Sequence, residues 1–285
     1  MSQVCSESYS FLNTMDFISI VYHCLTVIEV PVHLLVGYLI LCKSPKTMKT
    51  VKWYMFNVHF WSALLDISFS FLTSPYILFP YLAGYGSGIL MWLGVNKVIQ
   101  TTIIIIFIGM TVLSILVLFE NRYTILASSS SNSSRIRKTF IGILYVFAVF
   151  YFIPFTLFLP DQEVAVPALL EKLPSLRCFY TGPIYVLILD ATVIGWTTTF
   201  KLLVEFLFIG ILGILSFLSI RDQNKNINLS RKTLALQKKL FMSLIFQTGI
   251  PFAVIILPLL YFAYSVVFDN YSQGRPRLIV KQTED

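Results

Sequence analysis

Six long apolar stretches, with positive charge gathered into every second connection between them, constrain this chain more than any motif does. A helix needs about 20 apolar residues to cross the hydrocarbon core of a bilayer. Stretches of that order run over 17–42, 51–79, 98–119, 140–159, 201–220 and 240–268. Only 12% of the 285 residues are charged, about half of the ~25% usual in a soluble domain. The composition therefore implies an all-α, polytopic membrane helix bundle. The second and sixth stretches exceed a straight span and are expected to tilt, kink or protrude. Pro75, Pro80, Pro251 and Pro258 mark the expected kinks. No seventh apolar stretch follows: 269–285 is a polar tail.

Charge orients the stack. Lys43, Lys46, Lys49 and Lys52 follow the first stretch, and Arg122, Arg135, Arg137 and Lys138 follow the third. Arg221, Lys225, Arg231, Lys232, Lys238 and Lys239 follow the fifth. These are 14 of the 21 basic residues. Basic loops stay in the cytoplasm, so the N-terminus is expected outside. Residues 1–16 hold no Lys or Arg, and the first stretch is too long for a signal-peptide core; it is expected to act as an uncleaved anchor. The net charge of +7 is thus a topology signal and not a sign of nucleic-acid binding.

Nothing in the sequence points to an enzyme, a cofactor or a metal. The three histidines, His23, His33 and His59, fall in no metal-binding pattern, and neither a nucleophile elbow nor a P-loop occurs. The run Ala83-Gly84-Tyr85-Gly86-Ser87-Gly88 lies between spans and is expected to form a flexible outer loop. Ionisable residues within spans are functional candidates because burying them is costly. Glu29 and His33, four apart, share one helix face and are expected to pair locally or to face a polar cavity. Asp66 lies deep in the second stretch, as a hydrogen-bond hub, a protonation switch or a cation site. Glu205 is expected to pair with Lys201 one turn earlier, with the lysine snorkelling outward. Glu120-Asn121-Arg122-Tyr123 ends the third stretch, either as a basic flank or as an arginine tied to a neighbour at rest and released toward a partner. Cys5 and Cys178 are the two cysteines expected outside, where a disulfide between them is favoured over free thiols. Of the sequons at Asn132, Asn228 and Asn270, the first two fall in loops expected inside the cell.

Several ordered motifs carry a family resemblance. They include Ser44-Pro45-Lys46, Val51-Lys52-Trp53-Tyr54, the run from His59 to Asp66, and Pro75-Tyr76. Glu120-Asn121-Arg122-Tyr123, Pro160-Asp161-Gln162 and Gln237-Lys238-Lys239 with Ile250-Pro251 complete the series. Across about 1–268 the chain resembles the nematode serpentine receptors of class H, which are seven-helix chemoreceptors. That resemblance implies a GPCR-like bundle in the plasma membrane, including that of sensory cilia. It implies a small-molecule ligand bound among the outer halves of the second, third, fifth and sixth spans. It also implies coupling of a heterotrimeric G protein to Glu120, Asn121, Arg122, Tyr123 and the basic loops. Membrane lipid is the implied surround, and receptor oligomers are compatible with it. Where the family carries a seventh helix, this sequence turns into Tyr271-Ser272-Gln273-Gly274-Arg275-Pro276-Arg277, which predicts a chain cut short. Sequencing of the transcript across the region encoding Phe268–Arg275 tests that. A truncated, non-signalling relative or decoy subunit and a small-solute transporter or channel are the competing readings. The second lacks an inverted repeat.

Overall fold

The computed structural model describes residues 15–44, 51–78, 81–127, 131–172, 184–188 and 192–225, with isolated positions between 235 and 264. Helix α1 covers Met15–Tyr38 and α2 covers Val51–Ile67. Each ends in a wide π-helical turn, Leu39–Lys43 and Ser68–Leu72. A short α3 (Ile89–Trp92) precedes α4 (Lys97–Ala127) and α5 (Ser131–Phe150). Two shorter helices follow, α6 (Ile153–Thr156) and α7 (Gln162–Lys172), and then the long α8 (Thr192–Lys225). The described residues between 235 and 264 are helical. The apolar stretch expected at 240–268 lies mostly outside the described residues, as do Cys5 and Cys178.

Four helical segments are long and apolar enough to cross a membrane: 17–43, 97–126, 135–156 and 193–222. Half of the apolar window of α4 is buried, against 6% of that of α1. Helix α4 is therefore the central post, and α2, α5 and α8 pack on it while α1 packs on α2. Its buried face runs through Val112, Leu113, Ile115, Leu116, Leu118 and Phe119. Toward the basic end, Val58 of α2 and Leu212 and Ile220 of α8 close on that face. The outward faces are as apolar as the core: Val27, Leu34, Ile143, Phe147, Leu207 and Ile214 are all exposed. In water such faces would aggregate, whereas hydrocarbon solvates them. Helix α2 is not among the four apolar helices, because Asn57, His59, Ser62 and Asp66 interrupt it.

The second stretch does not continue as helix to 79. Thr73 donates its backbone N–H to the Ser68 carbonyl at 3.0 Å, and its hydroxyl donates to the same oxygen at 2.7 Å. Ser74 then takes a φ of +39°, a left-handed conformation that no helix tolerates. Pro75, which disfavours helix at the preceding residue, thus ends the helix where a kink was expected. Similarly, the stretch at 140–159 is not one helix: α5 stops at Phe150, and a turn at Tyr151 and Phe152 leads into α6 with Pro154 in its first turn. The stretch expected at 201–220 lies within the longer α8, which starts at Thr192.

The largest departure from expectation is at the end opposite the basic loops. The glycine run is no flexible loop but strand β2 (Leu82–Gly86), the middle of a three-stranded antiparallel sheet. β1 (Pro75–Ile77) pairs along one edge and β3 (Tyr185–Ile188) along the other. The glycines are there because backbones meet. A Cβ on Gly84 would stand 2.1 Å from the Tyr76 carbonyl oxygen. Gly86 and Gly88 face the Thr73 and Leu72 carbonyl oxygens at 2.5 and 2.4 Å from the Cβ each would carry. We expect Gly84→Val to separate β1 from β2 and to abolish surface delivery. Gly142→Val, at a helical glycine with open space around it, should be tolerated. Flow cytometry of tagged variants checks both; normal delivery of Gly84→Val would contradict the pairing.

The Pro160-Asp161-Gln162 motif receives a physical role here. The Asp161 side chain accepts the Glu163 N–H at 3.0 Å and so caps α7. The Gln162 amide behaves as a further strand for β3. Its Oε1 accepts the Val186 N–H and its Nε2 donates to the Val186 carbonyl, both at 2.9 Å. Leu169 and Ala165 of α7 bury Val186, Ala83 and Leu78 beneath the clamp. One helix thereby holds the sheet down over the end of the bundle.

Candidate functional site

The sheet covers a cavity of about 130 Å³. Its roof is Tyr76, Leu82, Gly84, Tyr85 and Tyr185, and its floor is Lys97, Gln100, Thr101 and Ile104 from the first turns of α4. Met91 and Thr73 close the sides. The Tyr76 and Tyr85 rings lie 5.6 Å apart, and Lys97 Nζ stands 5.8 Å from the centre of the Tyr185 ring. The Asn96 side chain accepts the Val98 N–H at 2.8 Å and fixes the start of α4. Gln100 is buried; its Nε2 donates to the Val95 carbonyl at 2.8 Å, which leaves Oε1 toward Gly86. Burial raises the Tyr76 and Tyr185 hydroxyls above the ordinary tyrosine value. Both therefore stay protonated at neutral pH and can donate. None of these residues was singled out from the sequence as a site. They come from two connections about a hundred residues apart and from the first turns of α4, and the sheet brings the two connections together.

Three of the intramembrane candidates, Glu29, His33 and Asp66, gather at the contact between α1 and α2. Glu29 and His33 of α1 do not pair along their own helix but face α2 and its π-helical end. The Ser70 hydroxyl donates to Glu29 Oε2 at 2.8 Å, and His33 Nε2 lies 3.3 Å from Asp66 Oδ2. His59 Nε2 lies 2.9 Å from the His33 carbonyl oxygen, an approach that places the proton on that nitrogen. His59 and Asp66 are seven residues apart, two helical turns, and so occupy one face of α2. The result is a polar seam between two otherwise apolar helices, and it holds α2 to α1.

Lys201 and Glu205 form a salt bridge, with Nζ 2.9 Å from each carboxylate oxygen. The lysine does not snorkel. It is 7% exposed and Glu205 1% exposed, so the pair is internal. The Tyr151 ring lies 5.3 Å from Nζ. A Cβ on Gly109 would stand 3.8 Å from Nζ and 3.2 Å from the Ala148 Cβ, so that glycine makes the room. A small residue is what lets α4, α5 and the α8 lysine approach this closely.

At the basic end, Glu120 is buried and bound from two sides. The Thr124 hydroxyl donates to its Oε1 at 2.8 Å, and Arg137 Nε of α5 lies 3.5 Å from the same oxygen. Arg137 also donates through Nη2 to the Thr124 hydroxyl at 3.1 Å and stacks over the Tyr123 ring at 5.0 Å. Glu120 thus pairs with an arginine outside its own motif. Arg122 Nε and Asn121 Oδ1 are buried and meet no hydrogen-bond partner among the described residues.

These features define a multi-pass membrane helix bundle with a capped cavity at one end and basic connections at the other. The chain belongs to the family described as serpentine type 7TM GPCR chemoreceptor Srh, which matches residues 13–281. The match extends beyond the resemblance read over 1–268. The chain is 29% identical over 261 residues to serpentine receptor class H-72 of Caenorhabditis elegans, an alignment covering 89% of this chain and 75% of that relative. The family is one of receptors and not of enzymes.

Proposed function

We propose that this chain is a chemosensory G-protein-coupled receptor that takes a small molecule in the sheet-capped cavity and signals to a heterotrimeric G protein at the basic end. The observation that carries this reading is the course of α4. One helix of 31 residues supplies the cavity floor with Lys97, Gln100 and Thr101, and also the Glu120-Asn121-Arg122-Tyr123 end. At 1.5 Å per residue it spans about 45 Å. Any shift of its first turns on ligand binding reaches the Glu120–Arg137 contact through a single packed element. The charge bias supports the orientation in the plasma membrane: cavity and N-terminus outside, Arg122 and its basic neighbours inside.

The test uses cells carrying the full chain with an N-terminal epitope tag and a luminescent G-protein dissociation reporter. The tag should stain on intact cells, and the reporter should respond to members of a small-organic panel. A chain that reaches the surface with its tag accessible, yet shows neither basal nor ligand-induced coupling to any Gα class, overturns the reading.

A further inference from the structure

We infer that the sheet-capped cavity takes a neutral alcohol, one hydroxyl on a compact apolar body, whose proton goes to the Gln100 side-chain oxygen. This rests on the cavity being the ligand site, as proposed above, and adds the chemistry of the guest.

Three polar side chains of the lining have already committed their protons. Gln100 is 6% exposed, and its Nε2 donates to the Val95 carbonyl at 2.8 Å. That carbonyl can only accept, so the amide nitrogen must face it, and the amide oxygen is left on the side of Gly86, another lining residue. Gln100 Oε1 accepts from no group among the described residues. The Thr101 hydroxyl donates to the Lys97 carbonyl at 3.0 Å, and the Thr73 hydroxyl donates to the Ser68 carbonyl at 2.7 Å. Both threonines line the cavity with only acceptor capacity remaining. A buried acceptor left without a donor is costly, so the favoured guest is one that brings a proton to give. A hydroxyl does so, and its oxygen can accept from the Tyr76 or Tyr185 hydroxyl in return.

Charge and size narrow the class. Lys97 is already engaged, 5.8 Å from the centre of the Tyr185 ring and in a further contact, so it calls for no counter-ion from the guest. A cationic guest would meet that ammonium with no carboxylate among the described lining residues to offset it. An anionic guest would add acceptors to a floor of acceptors. The cavity of about 130 Å³ is close to the ~150 Å³ of an apolar cavity that holds a benzene ring. Leu82, Ile104 and Leu187 supply its hydrocarbon. A single ring or a chain of about six carbons matches that space.

The full chain is reconstituted in lipid nanodiscs, and its thermal unfolding is followed by tryptophan fluorescence. The probes are benzyl alcohol against anisole and hexanol against methyl pentyl ether. Each ether is an isomer of its alcohol and can still accept from a tyrosine hydroxyl, but it has no proton to give, so the difference isolates the Gln100 oxygen. The alcohols should stabilise the protein at concentrations at least about tenfold below those the ethers need, because an ether leaves that oxygen without a donor. All four probes dissolve in lipid, so each is read against the same nanodiscs holding Gln100→Met, where the bilayer effect persists and the acceptor is gone. The alcohol-over-ether difference should vanish in that variant. Unliganded melting reports whether it folds. If it does not, Ile104→Phe decides: it fills the apolar part of the cavity with Gln100 in place, and the difference should again vanish. Equal stabilisation by alcohols and ethers, no stabilisation by either alcohol, or an undiminished difference in the folded variant overturns the inference. Alcohol binding without G-protein coupling would sustain it while sinking the signalling role. Coupling driven by other ligands without alcohol binding would do the reverse.

Discussion

Lys201→Met is expected to be among the most damaging single changes in the bundle, costing on the order of 3–5 kcal/mol. The substitution leaves Glu205, 1% exposed, as an uncompensated carboxylate in the helix packing. Lys201 lies in the third turn of α8, about 13 Å from its beginning at Thr192. Its ammonium lies close to the α4 backbone at Gly109 and to the Tyr151 ring. Water cannot take over as partner there without opening the contacts among α4, α5 and α8. The companion expectation gives the test its edge. A Lys201→Met/Glu205→Met double variant removes both charges, keeps comparable volume, and should recover most of the loss. Fluorescence-detected thermal unfolding in detergent should rank the wild-type chain and the double variant well above either single variant. Two single losses that simply add in the double variant would show that the side chains act independently, contrary to their 2.9 Å contact.

How much of this was legible in the sequence depends on how local the cause is. The bilayer imposes its requirement residue by residue, so the apolar stretches at 17–42, 98–119 and 201–220 each lie within one long helical segment. The Lys201–Glu205 contact follows from a spacing of four on a helix; its burial does not, because that depends on Gly109 and Ala148 from two other helices. The polar seam was half legible. Glu29, His33 and Asp66 stand out as ionisable residues in apolar runs, whereas His59, on the same face of α2 as Asp66, does not. That this face meets α1 is a tertiary fact. The sheet was the hardest feature to foresee. A five-residue strand, Leu82–Gly86, is completed by Tyr185–Ile188 about a hundred positions away, and three of its neighbouring glycines look like flexibility until the opposing carbonyls are known. The Gln162 amide clamp on Val186 is equally silent in one dimension. The cavity inherits that silence, since its tyrosines come from separate connections.

Arg122→Ala should lower G-protein coupling by about tenfold at equal surface level, while Glu120→Gln should raise coupling in the absence of ligand. The two expectations follow from the unequal state of two arginines at one helix end. Arg137 is engaged by Glu120, Thr124 and Tyr123, and that engagement ties α5 to α4. Arg122 lies two residues from Thr124 on the same helix without sharing in this network, its Nε buried and unsatisfied among the described residues. A buried, unsatisfied guanidinium nitrogen is costly, so any rearrangement that offers it a carbonyl or carboxylate is favoured. A partner inserted at this end can offer that acceptor, and a charge-assisted contact of about 1.5–3 kcal/mol corresponds to tenfold or more in affinity. Neutralising Glu120 removes the charge that holds Arg137, loosens α5 from α4, and opens the same end without a ligand. Thr124→Val should act in the same direction but more weakly, because it removes one hydrogen bond to Glu120 and leaves the ion pair. A reporter assay on surface-normalised cells separates these outcomes. Unchanged coupling in Arg122→Ala would assign the arginine to helix anchoring alone. Unchanged basal activity in Glu120→Gln would mean that the Glu120–Arg137 contact fastens the fold without restraining the receptor.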